Sequence, residues 1–342
     1  MRAVVFSPDT GFRVTDVETP VAAPDEVVLR VAACGVCGSD RQVASGESAP
    51  AGTSFPLVMG HEIAGYIVAL GSEVERWSAG DDVVVYPFIE CGTCAACIHG
   101  QANLCVRQTC IGYARQGGFA EQVAVPAKQL VARPKAVSET SAALLVDAFA
   151  TPYRAMNDAG VESGQTVLVI GTGGLGLAAL RLARAFGVRS VGAVTRRPEG
   201  ISTATQHGAD IAISTDEPER SMARQLRRWA GAGGVDVVID TIASTGTLAL
   251  ALEVVRPGGT VAVVGMSEDE AMFPVAKTVR RGTRIVASYG SRIEDVRKLM
   301  DWAASGRLDP SQLIAGIVPL DQLEKAFSGQ RSSGRWVITP NS

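Results

Sequence analysis

Thr166-Val167-Leu168-Val169-Ile170-Gly171-Thr172-Gly173-Gly174-Leu175-Gly176 is an apolar run that ends in a cluster of glycines. Val167 to Ile170 has the unbroken β-forming character of a strand covered on both faces. Beyond it, Gly174–Phe186 reads as a helix. Strand, glycine turn and helix in this order frame a pyrophosphate-binding turn. In that frame Gly171 makes the tight turn, Gly173 lets the backbone approach a phosphate, and Gly176 lets helix pack on strand. Gly174 and Leu175 open the helix whose N-terminus faces the phosphates. The stretch predicts a dinucleotide-binding unit.

Outward from this turn the pattern repeats. Ser190–Thr195, Ile211–Ser214, Val235–Asp240, Thr260–Gly265 and Ile285–Ser288 read as further strands, with helical stretches such as Ser221–Ala230 and Thr247–Val255 between several of them. Strands alternating with helices mean a parallel, doubly wound sheet. Before about residue 150 the character differs. Met1–Phe6, Phe12–Val17, Val27–Cys34, Ile63–Leu70 and Asp82–Tyr86 are short strand-like runs broken by prolines and glycines. Many short strands at close spacing suggest a small barrel or sandwich. The C-terminal stretch is mixed, with Ile293–Ser305 helix-like and Trp336–Thr339 a short strand. A chain of 342 residues is long for one domain, and two are expected.

The end of the second strand selects the cofactor. A site for NAD places an acid about 20 residues beyond the glycine turn, on the ribose 2′-hydroxyl. Here the chain reads Thr195-Arg196-Arg197 instead. Two guanidiniums and a hydroxyl suit a 2′-phosphate, so NADP(H) is favoured over NAD(H).

The charge balance argues against a nucleic-acid partner: 32 Lys+Arg stand against 35 Asp+Glu. No apolar run is long enough for a membrane span, and the N-terminus turns polar too early for a signal peptide, so a soluble cytoplasmic protein is expected. All seven cysteines fall before residue 111. An odd number without a secretion signal argues against a disulfide framework, and their clustering argues for metal. Cys91-x2-Cys94-x2-Cys97-x7-Cys105 can close around one tetrahedral zinc and would leave it no open position, which makes that zinc structural. An iron–sulfur cluster is the rival occupant. Cys110 lies outside the pattern and reads as a buried thiol. Cys37, after an apolar strand, and His61, in Gly60-His61-Glu62, are a second pair of first-choice zinc ligands. Cys34 and Cys37 also form a Cys-x-x-Cys, but a redox pair belongs beside a βαβ unit and this one lies among short strands. His99 and His207 read as structural.

Taken in order, Cys37-Gly-Ser-Asp40, Gly60-His-Glu62, the four-cysteine loop, Gly118-Phe-Ala-Glu121, the Gly171–Gly176 turn and Pro257-Gly-Gly259 resemble the zinc-dependent medium-chain dehydrogenase/reductase family, the alcohol dehydrogenases, over nearly the whole chain. The resemblance implies an α/β plus β fold: a GroES-like β-barrel catalytic domain from 1–148 and 288–342, with an inserted Rossmann domain at 149–287. It implies two zincs per chain. Cys37, His61 and Asp147 would hold the catalytic one, and Glu62 is an acid beside them that can also reach the metal. Ser39 would hydrogen-bond the substrate oxygen, Thr151 would lie near the nicotinamide, and Arg335 would reach the cofactor phosphates. Some relatives carry a histidine three residues after this serine, to pass on the substrate proton. Here that residue is Gln42, which cannot titrate.

The activity implied is hydride transfer between NADP(H) and an alcohol, aldehyde or ketone, with zinc polarising the substrate oxygen. An NADPH-dependent C=C or iminium reductase of the same fold is the alternative, and a non-catalytic cofactor binder is a third reading. The expected partner is a small alcohol or carbonyl substrate, and the expected assembly is a homodimer or homotetramer.

Overall fold

The computed structural model describes residues 1–50, 52–231, 233–328 and 334–341. The chain divides into two compact units, Met1–Ala150 with Ser291–Ser342, and Thr151–Gly290. Among the described residues, no helix is long and apolar enough to cross a membrane.

The second unit is built on a six-stranded sheet. Its order is Ile211–Ser214, Ser190–Thr195, Thr166–Ile170, Val235–Asp240, Val255–Val263 and Arg284–Ala287, and every pairing is parallel. The order reverses between Thr166–Ile170 and Val235–Asp240, the place where such sheets open a crevice at their C-terminal ends. The apolar runs are strands because both faces are covered: Val167, Leu168, Val169 and Ile170 are all buried. The strand expected at Thr260–Gly265 begins earlier, at Val255. Pro257 and Gly258 sit in an irregular stretch where the register against Val235–Asp240 shifts, with Gly258 at φ 71°. Turn residues inside a strand mark a bulge, so they do not end it. Two helices went unread in the sequence. Glu199–Gln206 is Thr-rich, and Val275–Arg281 buries none of its residues, so neither shows a strong apolar stripe.

The first unit carries a seven-stranded and a three-stranded sheet. Glu26–Val36 is the central strand of the larger one. It pairs antiparallel with Glu62–Leu70, Gln122–Pro126 and Arg335–Thr339. Arg2–Ser7 centres the smaller sheet, between Gly11–Asp16 and Leu57–Val58. Both sheets feed one apolar core, which includes Val4, Phe6, Leu29, Val31, Ile63, Ile67, Phe119 and Ile338. Burial at roughly 25 cal/mol per Å² makes a core of this size the main stabilising contribution to the barrel. Glu26–Val36 is straddled by partners, so its end is fixed in space. The first unit's cluster of polar side chains forms at that end.

Candidate active site

Strand register brings the first cluster together. Gly35 lies opposite Glu62, and Val36 lies opposite Trp336. The next residues, Cys37, His61 and Arg335, therefore meet at one edge of the sheet. Asp147 joins them from the turn between the helices Glu139–Leu145 and Ala150–Ala159. One ligand atom each from Cys37, His61, Glu62 and Asp147 lies within 4.8 Å of the others, and all four residues are buried. The Cys37 Sγ is 3.3 Å and the His61 Nε2 3.5 Å from Asp147 Oδ2. Gly35 makes room for this. A Cβ there would stand 2.0 Å from Glu62 Oε2.

Asp40 organises the near side of the cluster. It is wholly buried in the helix Gly38–Ser45, accepts from the Cys37 backbone N–H at 2.8 Å, and places Oδ1 3.4 Å from His61 Nδ1. A carboxylate behind an imidazole fixes which ring nitrogen is free to ligate. Tyr113 stands beside it, its ring 5.2 Å from that of His61. Burial raises the Tyr113 phenol well above its ordinary value and keeps it protonated. Burial also pushes Glu62 up to about 8, against the opposing pull of Arg335.

Arg335, expected to reach the cofactor phosphates, lies here beside two acids of the cluster. Its guanidinium is buried, with Nη2 3.1 Å from Glu62 Oε1 and 3.5 Å from Asp147 Oδ2. Two buried acids draw it in, because an unpaired buried charge is costly.

These groups suit a cation. Two carboxylic acids, a thiol and an imidazole converge among buried side chains, and Glu62 Oε2 has no hydrogen-bond partner among the described residues. Cysteine, histidine and carboxylate are a ligand set that zinc accepts with a position left open.

The second cluster is Cys91, Cys94, Cys97 and Cys105, with sulfurs again within 4.8 Å of one another and Cys94 to Cys97 at 3.5 Å. Four sulfurs at ~2.3 Å from one tetrahedral zinc would sit about 3.8 Å apart, so the cluster is already near that size. Arg107 covers it, with Nη2 3.3 Å from Cys91 Sγ. Hydrogen bonding from the Thr93 backbone and from Arg107 lowers Cys91 to about 5, the thiolate side that metal binding needs. Cys34 and Cys110 belong to neither cluster; both are buried. His99 is exposed, and His207 accepts from Arg181 at 3.0 Å.

In the second unit each glycine of the turn has a distinct setting. Gly171 has φ 96°, and a Cβ would strike Thr241. Gly176 lies against the Gly171 carbonyl, where a Cβ would stand 1.8 Å from the oxygen. Around Gly173 a Cβ would meet nothing within 4 Å, so the backbone is open to approach. Gly174 and Leu175 begin the helix Gly174–Phe186, and Thr151 is buried near the start of Ala150–Ala159. Arg196 and Arg197 are exposed. Thr195 is turned inward. It is buried, takes a hydrogen bond from Thr172 at 2.8 Å and donates to the Arg197 carbonyl at 3.3 Å, so it shapes the turn that carries the arginines.

Asp40, Tyr113, Arg107 and the clearance at Gly35 had been given no role in the sequence. Asp40 carried a signal, an acid at the third helical position behind a candidate ligand. Tyr113 and Arg107 carried none, since each acts on residues far away or around a folded loop.

Known proteins place this geometry. Residues 23–135 match the alcohol dehydrogenase GroES-like domain, and residues 174–305 match the zinc-binding dehydrogenase domain. An alcohol dehydrogenase of Geobacillus stearothermophilus is 33% identical over 326 residues, covering 95% of this chain and 94% of its own length. The alcohol dehydrogenase TADH from Thermus sp. ATN1 superposes with a TM-score of 0.92 at 30% identity, over 99% of both chains. A zinc-binding dehydrogenase from Sinorhizobium meliloti, solved bound to NADP, gives 0.91 at 28% identity, also over 99% of both. With a GroES-like domain, an all-parallel Rossmann sheet and two clusters of side chains that could hold a metal, the chain is an oxidoreductase of the zinc-dependent medium-chain dehydrogenase/reductase family.

Proposed function

We propose that this chain is an NADP(H)-dependent zinc alcohol dehydrogenase. The observation that carries the reading is the buried convergence of Cys37, His61, Glu62 and Asp147. Residues Met1–Ala150 with Ser291–Ser342 form the catalytic domain, and Thr151–Gly290 holds the cofactor.

Cys37, His61 and Asp147 would hold the catalytic zinc, with Glu62 within reach, and Cys91, Cys94, Cys97 and Cys105 the structural one. Zinc in the first site supplies Lewis acidity to a substrate oxygen. Bound NADP(H) would supply the hydride chemistry that interconverts an alcohol with a carbonyl compound and one released proton. Ser39 hydrogen-bonds the substrate hydroxyl. Gln42 cannot carry the proton onward, so it leaves through solvent. Asp40 holds His61 in place. Arg335 balances the charge of Glu62 and Asp147 and opposes the upward push of burial on Glu62. The Gly171–Gly176 turn would take the pyrophosphate, Thr151 would lie near the nicotinamide, and Arg196 and Arg197 would take the 2′-phosphate. The strand Arg284–Ala287 is at the edge of its sheet with Ile285 exposed, which favours a homodimer or homotetramer closed through that edge.

The test is NADP+ reduction by the zinc-loaded protein with ethanol, isopropanol, benzyl alcohol and cyclohexanol, and NADPH oxidation with the matching aldehydes and ketones. Turnover that vanishes in Cys37→Ala and His61→Ala supports the reading. Turnover confined to conjugated C=C compounds and kept in both variants overturns it.

A further inference from the structure

Tyr113 Oη lies 2.7 Å from Ser39 Oγ and 3.0 Å from Asp40 Oδ1. A phenol has one proton to give. The Asp40 oxygens stand as acceptors, Oδ2 from the Cys37 backbone N–H and Oδ1 toward Tyr113, whereas the serine hydroxyl has a proton of its own to give. The phenol proton therefore goes to Asp40. That leaves the Tyr113 oxygen as an acceptor toward Ser39, and the serine hydroxyl must point its own hydrogen at Tyr113. The serine lone pairs are then turned outward, ready to accept from an incoming hydroxyl.

We propose that Tyr113 is a positioning residue: anchored on Asp40, it sets the Ser39 hydroxyl as an acceptor for the substrate hydroxyl. The inference rests on the alcohol dehydrogenase reading and deepens it. The placement is rigid. Gly112, with φ 87°, packs directly on Gly60, where a Cβ would stand 2.9 Å from the Gly60 carbonyl carbon, so the turn bearing Tyr113 is fixed against the residue before His61. Tyr113 is 3% exposed, and Asp40 is fully buried. Ser39 is half-buried and so reachable. Gln42 has no titrating group to follow Ser39, and among the described residues the Ser39 hydroxyl meets Tyr113.

The experiment is a double-substitution cycle on the zinc-loaded protein: wild type, Ser39→Ala, Tyr113→Phe and the pair, with NADP+ and whichever alcohol of the panel above turns over fastest. Zinc content and thermal midpoint are measured on all four. Tyr113→Phe keeps the ring and removes only the hydroxyl. It is expected to lower kcat/KM roughly three- to tenfold, the scale of one oriented hydrogen bond, with zinc content unchanged. In the Ser39→Ala background the same change should add nothing. Additive losses would overturn the inference and place the action of Tyr113 on Asp40 and His61. An unchanged kcat/KM in Tyr113→Phe would also overturn it. A wild type that oxidises no alcohol would overturn the dehydrogenase reading, and the inference with it, while an active wild type with an additive cycle overturns the inference alone.

Discussion

Gly35→Ala and Gly38→Ala flank Cys37 on either side and should behave oppositely. Gly35 faces Glu62 across the strand pair, and an added Cβ would stand 2.0 Å from Oε2, 2.9 Å from Cδ and 3.0 Å from Cβ of that side chain. Glu62 cannot simply swing aside, because it is fully buried and tied to Arg335 at 3.1 Å. Overpacking of this kind costs about 1–3 kcal/mol, which for a unit of this size lowers the thermal midpoint by roughly 2–12 °C. It should also displace Glu62 and weaken metal retention at the site. Gly38 opens the helix Gly38–Ser45, and a Cβ there meets nothing within 4 Å. Alanine at that position should be neutral or stabilise by up to about 1 kcal/mol through helix propensity. Calorimetry of both variants, with zinc retention against a chelator, reads the difference. Glu62→Asp shortens the acid by one methylene and should recover part of the Gly35→Ala loss. Equal midpoints for the two glycine variants, or a Gly35→Ala loss untouched by Glu62→Asp, would refute the packing account.

Three further outcomes follow from the structure. Arg197→Ala should weaken NADPH roughly ten- to a hundredfold, the worth of a charge-assisted contact, with NADH affinity held; equal losses for both cofactors in a binding titration would reject the 2′-phosphate role. Arg107→Met removes the guanidinium over Cys91 and should speed chelator-driven zinc loss from the four-cysteine site by about tenfold or more, an effect absent if Arg107 is only a surface residue. His207 is held at about 4 by burial and the Arg181 charge. Its folded pKa lies below the unfolded value of about 6.5, so the unfolded chain binds the extra proton between those two pH values. Stability is then full above about pH 6.5 and falls as pH drops toward 4. Denaturant unfolding of His207→Gln should show a shallower loss across that window, and parallel slopes would contradict the assignment.

The second unit was the more legible part of the fold. Thr166–Ile170, Ser190–Thr195, Ile211–Ser214 and Val235–Asp240 have the same bounds in sequence and structure, because strands covered on both faces must be apolar throughout. Gln122–Pro126 in the first unit was not picked out: it is short, and glutamine, alanine and proline blur its alternation. The four-cysteine loop was legible because metal spacing is a local pattern. Cys37 and His61 could be singled out as residue types. Their meeting with Asp147 was not a local matter; it depends on the register that sets Gly35 opposite Glu62. The pairing of Arg335 with Glu62 and Asp147 was hidden for the same reason. Its antiparallel pairing beside Val36 sends it to buried acids, and no spacing along the chain reveals that pairing.

The most direct measurement is zinc per chain, by elemental analysis of protein purified without added metal. The account predicts about two, falling to about one in Cys37→Ala and, separately, in a variant lacking Cys94. About one in the wild type, unchanged after zinc is added back, would contradict the catalytic metal site and with it the proposed alcohol dehydrogenase chemistry.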